Sequence, residues 1–132
     1  DSSCNSVIKA FQTLAKAPHF TIFEADVDTP SQRTIQIQGR PDGIYEPSVN
    51  GKISVLSKED ERAQFSAETA AMIKERWSAP EYKCVLEGEE KLNGKATKVY
   101  SSEDDRFWIG KDDGLFYQML HADQYLTLTY GS

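Results

Sequence analysis

The stretch Lys91-Leu92-Asn93-Gly94-Lys95-Ala96-Thr97-Lys98-Val99-Tyr100 carries the pattern on which the fold turns. Asn93-Gly94 stands at its centre, and apolar and polar residues alternate around it. Asn-Gly and Asp-Gly tolerate the positive φ angles that tight hairpin turns require. Such pairs recur at Asp42-Gly43, Asn50-Gly51 and Asp113-Gly114, again flanked by alternating residues. The chain reads as a meander of antiparallel strands. A helical bundle or a parallel α/β enzyme would carry different punctuation.

Working outward, the alternation predicts strands over about 19–27, 33–38, 44–45, 52–56, 82–86, 97–100, 106–110, 115–120 and 124–130. In the run from Arg33 to Gln38, Ile35 and Ile37 are expected on one face and Thr34, Gln36 and Gln38 on the other. Cys84 and Leu86 are expected to share a face with Tyr82. Two segments change period. Val7, Phe11 and Leu14, with Ile8 and Ala15, recur at helical spacing over 4–16, and Pro18 marks the end. Ser3 or Asn5 is a suitable cap. A second helix is expected over 67–77, where Met72, Ile73 and Trp77 share a side with the nearby Phe65, and Pro80 stops it. Each helix must lay its apolar stripe on the sheet.

Composition sets bounds. At 132 residues the chain is one domain, 1–132. Its net charge of −6 argues against nucleic acid, which needs a basic patch, and against adhesion to anionic lipid surfaces. No apolar run approaches the roughly 20 residues of a transmembrane helix. The opening Asp1-Ser2-Ser3-Cys4 suits a chain from which a secretory signal has been removed. Lipidation of Cys4 is the weaker alternative, because a mature lipoprotein would begin at that residue. Cys4 and Cys84 are the two cysteines, and an even count in a small protein suits one disulfide in an oxidising compartment. Closing a loop of about 80 residues would contribute roughly 4–5 kcal/mol on chain-entropy arithmetic. The alternative is a pair of unpaired buried thiols.

Chemistry is sparse. Glu89-Glu90, Asp104-Asp105 and Asp112-Asp113 are adjacent carboxylates, which point to opposite faces of a strand and suit solvated turns better than a shared cleft. They lack the alternation of a calcium loop. His19 and His121 sit at element boundaries, no G-x-S-x-G elbow is present, and two histidines do not make a metal site. No glycine-rich phosphate loop is found. No cofactor and no catalysis are expected. The remaining resource is aromatic and aliphatic, 11% Phe, Trp and Tyr, which either fills a core or lines an apolar cavity.

Three pieces recur in order: Tyr82-Lys83-Cys84, then Gly88 through Asn93-Gly94 to Val99-Tyr100, then Phe107-Trp108-Ile109-Gly110 leading to Asp113-Gly114-Leu115. With the helix opening Ser3-Cys4-Asn5-Ser6-Val7, this set resembles small secreted proteobacterial proteins related in fold to periplasmic lipoprotein carriers of the LolA/LolB type. The resemblance implies an α+β fold: a curved antiparallel sheet forming an incomplete β-barrel, closed by an N-terminal helix and a mid-chain helix. It implies a periplasmic or secreted, monomeric, non-enzymatic protein that holds a lipid or other hydrophobic small molecule between sheet and helices. Alternation places Phe11, Phe20, Ile35, Ile37, Met72, Trp77, Leu86, Val99, Trp108 and Leu120 as the candidate cavity residues. Register decides which alternate residues point inward. The competing expectation is an envelope protein-interaction module (inhibitor, immunity-type or assembly factor) with a filled core and an exposed patch or sheet edge for a protein partner.

Overall fold

The computed structural model describes residues 2–47, 53–58, 71, 75, 84–103 and 105–131; for 2–4, 15, 47 and 53–58 it describes the backbone alone. The chain forms a helix α1 (Ser2–Lys16) followed by β1 (Phe20–Asp26), β2 (Thr34–Arg40), β3 (Gly43–Pro47), β4 (Ile53–Lys58), β5 (Cys84–Leu92), β6 (Lys95–Ser102), β7 (Asp105–Gly110), β8 (Phe116–His121) and β9 (Gln124–Tyr130). Among the described residues nine strands form one antiparallel sheet in the order β4-β3-β2-β1-β9-β8-β7-β6-β5. Two meanders are thus joined where the first strand pairs with the last, from Phe20↔Tyr130 to Asp26↔Gln124. Strands β4 and β5 stand at opposite edges, so the sheet is not closed into a barrel. The second helix expected over 67–77 lies outside the described residues, apart from Ala71 and Glu75, which are helical.

The tight turns explain the meander. Leu92↔Lys95 leaves Asn93-Gly94 as a two-residue loop with φ of 52° and 82°, the double positive φ of a type I′ hairpin. Arg40↔Gly43 likewise leaves Pro41-Asp42, so Gly43 opens β3 instead of sitting in the turn. Two further tight turns, one after Ser102 and one at Ala122-Asp123, carry no glycine, and Glu103 and Ala122 take positive φ.

Helix α1 buries Val7 and Ala10 completely, with Phe11 and Leu14 packed beside them. They meet Cys84, Tyr100, Phe107, Ile109 and Phe116 on one face of β5–β8. Phe11, Phe107 and Phe116 form an aromatic triangle with centroids 4.5–6.2 Å apart. Burying a side chain such as Val7 or Phe107 contributes roughly 1.5–3 kcal/mol, and this wedge holds the helix down. The helix ends as Pro18 approaches, where Ala17 N–H closes a turn on the Leu14 carbonyl. Among the described residues Cys84 is buried and in no disulfide. The expected bridge to Cys4 involves a side chain outside the described residues.

Among the described residues four β-bulges interrupt the pairing, one of them at Leu56 in β4, and the other three set which side chains share a face from β5 across to β2. Between Ile22 and Phe23 the partner jumps from Ile37 to Ile35, leaving Gln36 as the extra residue. The same happens at Glu87 in β5 and Tyr117 in β8. An extra residue reverses the alternation beyond it. Ile35 and Ile37 therefore face opposite sides, contrary to the expectation from the sequence.

Candidate functional site

The helix face of the sheet is occupied. A row of directly opposed residues, Leu86, Tyr100, Phe107, Met119 and Leu126, crosses it from β5 to β9. Among the described residues, the space beneath α1 holds packed side chains from this row and its neighbours, and a cleft of about 350 Å³ opens beside it, lined by Ser6, Lys9 and Thr13 of α1 and by Lys98, Tyr100 and the stretch from Ile109 to Gly114.

The other face carries a second row: Val99, Trp108, Gln118, Thr127, Phe23 and Ile35. It runs across six strands and opens gradually. Val99 and Trp108 are each 4% exposed, and Ile35 is 41% exposed. Over this row lies a cleft of about 320 Å³ with Phe23 and Ala25 of β1 on one side and Glu90 and Leu92 of β5 on the other. Strands β1 and β5 are five strand spacings apart, roughly 24 Å in a flat sheet. Residues of both can line one small cleft only because the sheet curls toward this face. A second cleft of about 260 Å³ adjoins it and shares Arg33, Leu92 and Thr127; its other walls include Lys95, Tyr117, Leu128 and Tyr130.

Polar and charged residues stand among the apolar ones in these walls. Thr127 Oγ1 donates to Gln118 Oε1 at 3.4 Å. The Arg33 guanidinium lies 4.0 Å over the Phe23 ring, a cation–π contact. The indole N–H of Trp108 is buried and has no acceptor among the described residues, and a buried unsatisfied donor costs about 1–3 kcal/mol. At the smaller cleft, Lys95 Nζ donates to Tyr117 Oη at 2.8 Å, and Tyr117 Oη donates to Asp113. Burial pulls the Asp113 carboxyl upward, but the Tyr117 hydroxyl, the Leu115 amide and the Lys95 ammonium outweigh it and hold it below the usual carboxylate range. Burial, then the hydrogen bond to Asp113, raises the Tyr117 phenol. Its hydrogen bond with Tyr117 raises the Lys95 ammonium, with Asp113 adding to the effect. Burial pushes the Tyr130 phenol far up; its hydroxyl donates to the Phe116 carbonyl.

A third row, Cys84, Ser102, Asp105, His121, Gln124 and Asp26, crosses one end of the sheet. Asp105 is hydrogen-bonded to His121 Nδ1, and Gln124 donates to Asp26. The Ser102 hydroxyl is buried without a partner among the described residues. Asp105, not His121, is the neighbour of Ser102. The imidazole lies two strand spacings away, roughly 10 Å, where a base must be within about 3 Å of a nucleophile.

The ten candidate residues therefore do not form one cavity. Phe11 belongs to the aromatic triangle under α1. Phe20 covers Gly39 across β1–β2. Ile37 and Leu86 lie on the helix face, and Leu86 is 45% exposed. Ile35, Val99, Trp108 and Leu120 share the cleft face, and of these Trp108 lines the larger cleft. Met72 and Trp77 lie outside the described residues. Phe23, Arg33, Leu92, Gln118 and Tyr125 are not among the candidates, although the i, i+2 spacing of Phe23 with Ala25 in β1 could have flagged Phe23.

Comparison with solved structures finds chains of similar fold. The crystal structure of lipoprotein LppX from Mycobacterium tuberculosis superposes with a TM-score of 0.51 at 10% identity, covering 97% of this chain and 92% of that one. That of LprF from Mycobacterium bovis superposes with a TM-score of 0.50 at 8% identity, covering 98% and 92%. At such identities the likeness is one of fold. No family model matches the chain, and no curated protein matches it by sequence.

Proposed function

We propose that the protein is a non-enzymatic, periplasmic or secreted binding protein for an apolar or amphiphilic, lipid-like ligand. The observation that carries this reading is the curl of the sheet over the row Trp108-Gln118-Thr127-Phe23, which leaves two joined clefts where Phe23, Val27, Leu92, Trp108 and Tyr125 stand among charged and polar groups. Such clefts with a few placed polar groups suit a small ligand. The fold likeness to LppX, a lipoprotein, points the same way. The ligand lies on the face of the sheet opposite α1. The row Ser102-Asp105-His121 supports the absence of catalysis, since it sets a carboxylate between hydroxyl and imidazole. An oxidising compartment would join Cys4 to Cys84, and the intact mass of unreduced protein would then be two hydrogens lighter than the reduced form.

Native mass spectrometry of protein recovered from an oxidising compartment, followed by solvent extraction, tests the proposal. The expected result is a small co-purifying amphiphile, released by solvent and rebound on addition. An unchanged apo mass after incubation with single-chain lipids would overturn it. One observation favours a second reading, a protein-interaction module: Val85 and Leu86 on edge strand β5 are 55% and 45% exposed. That reading predicts a stoichiometric partner lost on Val85→Lys substitution.

A further inference from the structure

Two residues that carry donor groups stand side by side in the wall of the larger cleft. Trp108 and Gln118 are directly opposed across β7 and β8. Trp108 carries a buried indole N–H with no acceptor among the described residues. Gln118 has its amide oxygen engaged by Thr127, which leaves its amide nitrogen as the donor end. Arg33 adds a guanidinium to the same cleft, stacked on Phe23. Glu90 of β5 and Glu24 of β1 also line it. Among the described residues none of these three charged groups is in an ion pair with another.

This set discriminates between classes of amphiphile. A plain hydrocarbon end would leave the Trp108 N–H buried and unpaired. A simple anion would suit Arg33 but would meet the carboxylate of Glu90. A head that carries both acceptor oxygens and an ammonium group answers every polar group present. The smaller cleft has no carboxylate in its wall; Leu92 and Tyr117 line it together with Arg33, Lys95 and the β9 stretch from Thr127 to Tyr130. Its volume of about 260 Å³ falls below the usual range for ligand pockets, which suits one alkyl chain better than two.

Building on the lipid-binding reading above, we propose that the larger cleft is the head-group subsite for a single-chain zwitterionic amphiphile. Oxygen atoms of the head accept from Trp108 Nε1 and Gln118 Nε2 and face Arg33, its ammonium faces Glu90, and the chain runs into the smaller cleft.

The test is calorimetric titration of the delipidated full chain with three lipids of equal chain length: lysophosphatidylethanolamine, lysophosphatidylglycerol and the free fatty acid. The zwitterionic lipid is expected to bind about tenfold tighter than the other two. Glu90→Gln should narrow that margin to within about threefold, and Arg33→Gln should weaken both phospholipids more than the fatty acid. Trp108→Phe keeps the ring and removes the N–H, and should weaken the zwitterionic lipid roughly tenfold. Trp108 is buried and its replacement can unsettle the sheet, so the exposed Arg33 and Glu90 variants decide the matter independently. Equal binding of all three lipids, unchanged by Glu90→Gln and Arg33→Gln, overturns the subsite while leaving a lipid-binding protein. Failure of all three to bind removes the lipid-binding reading as well.

Discussion

Gly39→Ala should destabilise the protein, and should stop doing so once Phe20 is made smaller. Phe20 and Gly39 are directly opposed across β1 and β2. A Cβ built on Gly39 would stand 2.0 Å from Phe20 Cε1 and 2.4 Å from Cδ1 and Cζ. The ring lies on the glycine and cannot stay there. Gly39 is not among the glycines of positive φ, so the backbone itself accepts alanine. Overpacking of this kind costs about 1–3 kcal/mol. Against it, replacing a strand glycine by alanine restrains the unfolded chain and contributes about 0.4–1 kcal/mol. The net expectation is a loss of about 1–2 kcal/mol, or roughly 4–7 °C in Tm for a domain of this size. In a Phe20→Ala background, itself costing about 3–5 kcal/mol, the clash is gone. Gly39→Ala should then be neutral or stabilising by about 0.5 kcal/mol. Urea denaturation of the four members of the cycle measures the reversal. If Gly39→Ala costs the same with and without Phe20, the ring does not sit over Gly39 and this reasoning fails.

Other consequences follow from single contacts. Thr97 is fully buried and its hydroxyl donates to the Glu90 carbonyl at 2.6 Å; Thr97→Val should cost about 1 kcal/mol, read as a lower urea midpoint at unchanged slope. Asp113 titrates below its ordinary value when folded. Its stabilisation is therefore complete above the unfolded value of about 3.9 and is lost as pH falls through the depressed folded one; Asp113→Asn should flatten the acid limb of a stability–pH profile. Lys95, Tyr117 and Tyr130 are raised, so their contribution is complete below about pH 10 and fades as pH rises through their folded values. Ultraviolet titration should show Tyr130 ionising only with unfolding, and smooth ionisation of all six tyrosines at an ordinary value would contradict its burial. Phe107 is 1% exposed at one corner of the aromatic triangle, so Phe107→Ala should cost about 3–5 kcal/mol and release α1, seen as loss of far-ultraviolet helical signal before the sheet melts.

The hairpins were legible because their chemistry is local. Asn93-Gly94 needs only its own backbone freedom to make the turn. The helix stripe of Val7, Phe11 and Leu14 was legible for the same reason. Other turns carried weaker signals: Glu103 and Ala122 are held at positive φ by the strands they join, not by their own preference. The bulges at Gln36, Glu87 and Tyr117 could not be read, since each depends on how two strands meet. That is why the candidate residues scattered across both faces. A period-2 pattern says which residues share a side but not where the count slips. The cleft needed still more, because Leu92 and Phe23 meet only through the curl of five intervening strand spacings.

The pairing of β1 with β9 has a temporal consequence. Phe20 finds its sheet partner 110 positions later, at Tyr130. A chain made or threaded across a membrane from its N-terminus can form the β1–β2–β3 hairpins early, but β1 keeps one open edge until the last strand arrives. Contacts so distant in sequence slow folding. An open strand edge left waiting invites wrong partners. The seam thus acts as a completion check, and removal of β9 should leave two unjoined meanders that a chaperone or protease can recognise.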